Sequence, residues 1–150
     1  MKYFVIFFIS LTLFSCSKPE QSCNDENLIN TANLYFDAEK TKNWDSTYKL
    51  RYKEFKESVP VGVYIDKMNI ESAGWKMIDY KLGDINVSFK KAEILVEIKE
   101  EVPDKIRVNK KSFIIFKGII KFICRNGKWS VLEVPSRNHL SLNSAIVPLN

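Results

Sequence analysis

The chain has 150 residues, room for one domain, and its 23 Lys and Arg against 18 Asp and Glu give a formal net charge of +5. Apolar residues at 45% and aromatics at 13% exclude a disordered chain, and five Gly and five Pro exclude a low-complexity or collagen-like one. Three Cys are too few for a disulfide framework, and a single His leaves little material for a His-based metal centre or general base.

The N-terminus reads as an address. Lys2 supplies a positive charge, and Tyr3 to Phe14 form a mostly apolar run of 12 residues. Crossing ~30 Å of hydrocarbon takes about 20 such residues, so the run is a targeting segment outside the fold. The organisation expected is a signal segment over residues 1–15, a polar tether over 16–23, a domain over 24–134 and a tail over 135–150.

Asn24-Asp25-Glu26 is a helix start, with a capping side chain followed by acids in the first turn. Leu28, Ala32, Tyr35 and Phe36 then form one apolar stripe ending near Lys40. After a break at Asn43-Trp44-Asp45, Asp45-Ser46 caps a second expected helix carrying Tyr48, Tyr52 and Phe55, which Pro60 and Gly62 close. Residues 63–73 read as a short helix or a turn.

From Trp75 the period becomes two. Ile78, Tyr80 and Leu82 share one expected strand face, and Gly83-Asp84 mark a bulge or turn before Ile85 and Val87. Ala92, Ile94, Val96 and Ile98 alternate with Glu93, Glu97 and Lys99 in a half-buried strand. A third strand puts Ile114, Phe116, Gly118, Ile120, Phe122 and Cys124 on one face, with Phe113, Ile115, Lys117, Ile119, Lys121, Ile123 and Arg125 on the other. Asn126-Gly127 is the signature of a two-residue type I′ turn, and a partner strand bearing Trp129 and Val131 runs back until Pro135. Helices followed by an antiparallel sheet make an α+β domain. The tail has no period.

Two resemblances add to this reading. Leu13-Phe14-Ser15-Cys16 resembles the lipobox of bacterial lipoproteins, with Phe14 bulkier than the residue usual there. That resemblance implies cleavage before Cys16 and acyl chains on its thiol, hence a membrane anchor. Residues 17–22 would then hold the domain about 20 Å off the bilayer when extended. Ser17 stands where an Asp retains such proteins at the inner membrane, which implies the periplasmic face of the outer membrane. Residues 24–134 in turn resemble the NTF2-like (cystatin-like α+β) superfamily. The resemblance rests on the first helix, on Asn43-Trp44-Asp45 where many members have Gly-Asp-Trp, and on the hairpin Asn126-Gly127-Lys128-Trp129. It implies N-terminal helices packed on a curved antiparallel sheet that closes as a cone around a pocket, lined here by Tyr80, Phe116 and Ile120.

Enzymes of that superfamily keep a carboxylate base inside the cone. The faces read here as interior carry Ile, Val, Phe and Tyr80 but no carboxylate, with Asp79 and Glu97 pointing outward, so no catalysis is expected. Tyr35 and Tyr80 read as core aromatics with hydroxyls at the rim, where either could also donate to a ligand. His139 reads as a solvated residue, no metal or cofactor site is expected, and Asn86-Val87-Ser88 matches a glycosylation acceptor by coincidence. Cys23 and Cys124 either form a disulfide, which an exported protein can keep, or remain free thiols, one exposed and one buried.

Lys105, Arg107, Lys110 and Lys111 cluster in one loop, and Lys117, Lys121 and Arg125 line one strand face. Mixed with Glu100, Glu101 and Asp104, they read as a solvated polar face near a membrane surface or an acidic partner. Nucleic acid is not an expected partner. The function expected is that of a non-catalytic, lipid-anchored module of the cell envelope, docking a protein or a second copy on the face of Ile115, Lys117, Ile119 and Lys121. The alternative is a small-molecule-binding or weakly enzymatic domain using the pocket.

Overall fold

The computed structural model describes residues 23–104 and 113–137. Four helices, α1 (Asp25–Lys40), α2 (Trp44–Lys49), α3 (Lys53–Ser58) and α4 (Val61–Glu71), precede four strands, β1 (Lys76–Ser88), β2 (Lys91–Glu101), β3 (Phe113–Arg125) and β4 (Lys128–Glu133). The strands form one antiparallel sheet in chain order, β1-β2-β3-β4. It is an open sheet, so the cone implied by the NTF2-like resemblance is not what this chain builds.

The first helix forms where its pattern places it. The Asn24 side chain accepts from the Asn27 amide at 2.8 Å, and Asp25 and Glu26 sit at the positive end of the helix dipole. Leu28, Ala32, Tyr35 and Phe36 are fully buried against the inner sheet face, among Ile94, Val96, Ile98, Ile120, Phe122, Trp129 and Val131. The indole of Trp129 donates to the Asn24 carbonyl at 3.1 Å and ties the helix start to the last hairpin.

The single helix expected next is broken in two. Asn43, not Asp45, caps α2 by accepting from the Ser46 amide at 3.1 Å. The chain then leaves helical geometry because the Leu50 carbonyl accepts from Val131 N (2.8 Å) and the Tyr52 amide donates to Val131 O (3.1 Å). This short parallel bridge to β4 consumes the backbone groups a continuous helix would need. Pro60 and Gly62 do not end a helix. Pro60 is the N-cap of α4, where its fixed φ and missing N–H cost nothing, and the ambiguous stretch after it is helical. Trp44, Tyr52, Phe55, Tyr64 and Met68 pack here as a second core, against which Ile123 and Leu132 also lie.

The sheet follows its alternation with one correction. A register shift between Met77 and Asp79 makes Ile78 the extra residue, so Met77 takes the core side and Ile78 is 37% exposed. The second shift, between Leu82 and Ile85, falls at Gly83-Asp84 as expected. Asn126 and Gly127 hold φ of 50° and 72°, the positive pair the turn requires. After β4 the chain folds back over the inner face. Val134, Pro135 and Arg137 are all buried, and a Cβ on Gly118 would stand 2.7 Å from Pro135 Cβ. The packed domain therefore runs past residue 134, into what reads in the sequence as a patternless tail.

Candidate functional site

The inner face of β2 does not end on an aliphatic residue. The alternation that buries Ala92, Ile94, Val96 and Ile98 continues to Glu100, which is 3% exposed. The stripe of α1 likewise continues to Glu39, also 3% exposed. Two carboxylates therefore face the interior, which corrects both the expectation of none and the placing of Glu100 on a solvated surface. Between them lies Arg137, 2% exposed, which donates to Glu100 at 2.6 Å and to Glu39 through its other amino group. Burial alone would depress the guanidinium's proton affinity, but Glu39 and Glu100 outweigh it and raise it.

A second buried guanidinium, Arg51, stands 4.2 Å from the centre of the Phe55 ring and donates to the Leu132 carbonyl at 3.3 Å. Tyr35 belongs to the same interior: it is fully buried, with no hydroxyl at a rim, and burial together with Tyr64 and Glu39 pushes its pKa far up. Tyr64 shares a hydrogen bond with Thr47 at 3.2 Å, and its pKa is raised mainly by burial. Both carboxylates of the cluster are held by one guanidinium, under side chains at most 3% exposed. A general base must reach a substrate proton, and here nothing from solvent reaches either group.

The three residues read as pocket lining share the inner face and belong to its packed core. Ile120 is fully buried in the core, and Phe116 packs on that core from its margin. Tyr80 turns its hydroxyl to α1, donating to Asp37 Oδ1 at 2.9 Å and lying 3.2 Å from Asn33 Oδ1. Burial first, and Asp37 next, push its pKa up to about 12. An open depression of about 460 Å³ between α1 and α2 has Leu34, Asp37, Ala38, Lys49 and Leu50 among its lining residues.

On the outer face, Leu95 sits opposite Ile119, with Ile115 four residues away along β3, beyond Lys117. They are 44%, 46% and 50% exposed. Three cations of this face have anionic neighbours: Lys117 meets Glu97 at 3.0 Å, Lys121 meets Glu133 at 2.8 Å, and Arg125 pairs with Glu54. The Arg125 hydrogen bond lowers the Glu54 pKa, and the Glu133 hydrogen bond raises that of Lys121.

Cys23 and Cys124 are joined as a disulfide, with Cα atoms 6.1 Å apart. Among the described residues, no group of three or more His, Cys, Asp or Glu could hold a metal ion, and no helix is long and apolar enough to cross a membrane. Cys16, His139 and the loop cations Lys105, Arg107, Lys110 and Lys111 lie outside the described residues. Arg51 and Arg137 were absent from the sequence-based candidates. The signal available for Arg137 was two acids, Glu39 and Glu100, standing at positions where apolar stripes continue.

No family model matches the chain, and no curated protein matches it. Among solved structures it is similar to the solution structure of RPA3114, a SEC-C motif containing protein from Rhodopseudomonas palustris. That match has 9% identity and a TM-score of 0.48 over 64% of this chain and 67% of that one. The NTF2-like resemblance is corrected by the fold itself, since the described domain is α+β with an open four-stranded antiparallel sheet and not a cone. The lipoprotein resemblance at residues 13–16, outside the described residues, has no matching family or curated protein behind it.

Proposed function

We propose that the chain is a non-catalytic binding module of the cell envelope, held at a membrane by its N-terminal segment, whose working surface is the outer face of the sheet. The observation that carries this reading is the cross-strand pair Leu95 and Ile119 with Ile115 beyond Lys117, all half-exposed on that face while the inner face is packed. Apolar side chains ringed by charges are what a protein interface requires. The alternation of Lys117 with Glu97 and Lys121 with Glu133 favours a partner of balanced charge over a strongly acidic one such as nucleic acid. A compartment outside the cytoplasm is supported by the Cys23–Cys124 disulfide and by the apolar run after Lys2.

The test is photocrosslinking in living cells from positions 115 and 119 of the full chain. A discrete adduct that disappears with Leu95→Glu is expected. Equal labelling with and without that change sinks the reading.

A second reading, small-molecule binding, is favoured by the open depression between α1 and α2, whose lining includes the apolar residues Leu34, Ala38 and Leu50. Native mass spectrometry of the protein from its own envelope fraction tests it. A retained small mass lost on Ala38→Trp would establish it, and a bare chain would remove it.

A further inference from the structure

The β1–β2 hairpin is closed by Phe89 and Lys90, between the paired residues Ser88 and Lys91. Two-residue hairpin turns that need positive φ at their first position favour Gly, Asn or Asp there. Here Phe89 holds φ +55° and is 91% exposed, so a bulky ring occupies an unfavourable backbone conformation without any core to bury it. Strain kept at an exposed aromatic is the kind of outlier that points to use. The ring has company: Val87 and Ile85 on the same hairpin are 39% and 38% exposed. Lys90 holds its ammonium 5.6 Å from the centre of the Phe89 ring, Lys91 follows, and no acid occurs between Asn86 and Ala92.

The tip is also at a particular end of the molecule. Its Lys90 carbonyl accepts from the Cys124 amide at 2.8 Å, and Cys124 is bonded to Cys23. Cys23 is where the described domain begins, and the apolar run Tyr3–Phe14 ends eight residues before it. Those eight residues reach about 30 Å at most, so whatever that run enters lies within a short distance of the hairpin tip.

We propose that Phe89, with Lys90 and Lys91, is an interfacial foot that seats this end of the domain on an anionic lipid surface. The inference rests on the reading that the N-terminal segment holds the chain at a membrane. The ring enters the boundary between headgroups and acyl chains, and the two ammonium groups lie among the lipid phosphates. Seated so, the sheet stands with its hairpin end down and leaves the Leu95–Ile119 face open to a partner alongside.

The experiment uses the full chain carrying Phe89→Trp, in vesicles of phosphatidylcholine alone and of phosphatidylcholine with phosphatidylglycerol, read as the difference from the parent protein's fluorescence. Because the side chain is exposed, the change leaves packing intact. Flotation is measured first. With phosphatidylglycerol present, the new indole should shift to the blue and be quenched by brominated lipid by roughly twofold. Adding Lys90→Glu and Lys91→Glu should abolish both effects. If the chain floats while the indole stays in water, or responds equally in phosphatidylcholine alone, the foot is overturned and the anchor reading survives. If the chain does not float, both fall.

Discussion

Arg137 and Glu39, 98 positions apart in the chain, form a buried ion pair whose guanidinium also holds Glu100 at 2.6 Å. One cation thereby joins α1, β2 and the segment after β4. Removing one member of such a cluster leaves uncompensated charge in the interior, which costs about 3–5 kcal/mol. Arg137→Ala should therefore lower the urea midpoint strongly, whereas Glu39→Leu with Glu100→Leu and Arg137→Met should recover much of the loss. A loss for Arg137→Ala below about 1 kcal/mol would place the cluster with exposed pairs and contradict its burial.

Gly118 is required by close approach. A Cβ there would meet Pro135 Cβ at 2.7 Å, so Gly118→Ala should destabilise by about 1–3 kcal/mol through overpacking. Pro135→Ala should relieve part of that cost, and the coupling between the two changes can be read from a double-mutant cycle. Strict additivity would show that the segment after β4 does not rest on Gly118.

The disulfide spans 101 positions. Constraining an unfolded chain over such a loop is worth about 4–5 kcal/mol in the chain-entropy treatment. Reductant should lower the denaturation midpoint of the parent, and Cys23→Ser with Cys124→Ser should be equally unstable but insensitive to it. Thiol labelling of the denatured, unreduced protein should find neither cysteine of the pair.

Tyr80 sets an alkaline limit. Its folded pKa is about 12 against 10.0 for an ordinary tyrosine, so above pH 10 the unfolded chain releases a proton that the folded one keeps. Stability is fully present below that range and falls as pH rises from 10 towards 12. Tyr80→Phe should flatten this part of the stability–pH curve without removing it, because the Tyr35 and Tyr64 pKa values are raised by burial as well. An unchanged slope would mean that burial and Asp37 do not raise the Tyr80 pKa in solution.

Much of the fold is legible because burial and period coincide. Leu28, Ala32, Tyr35 and Phe36 are buried at their helical spacing, Ala92 to Ile98 at theirs, and Asn126-Gly127 names its own turn. Other parts are settled by partners distant in the chain. Tyr48, Tyr52 and Phe55 fit one helix, and only the bonds of Leu50 and Tyr52 to Val131 break it. Phe89-Lys90 has no turn chemistry to announce the hairpin it closes. Arg137 looks like a solvated tail residue until two carboxylates from other elements are seen on either side. The candidate site was thus the least readable part: an interior ion cluster and an aromatic at a hairpin tip are both exceptions to the usual sorting of residues.

The bridge between Arg51 and Val131 has a consequence for how copies of this protein meet. It engages both main-chain groups of Val131 on the outer side of β4 with main chain from Leu50 to Tyr52, so the middle of that short margin is already occupied. The opposite margin of the sheet is β1, beside which no further strand lies among the described residues. There the irregularities at Ile78 and at Gly83-Asp84 cut a 13-residue strand into short stretches, with the charged residues Lys76, Asp79 and Lys81 along it. One margin is short and blocked at its centre and the other is fragmented, so runaway strand-to-strand growth is opposed on both sides.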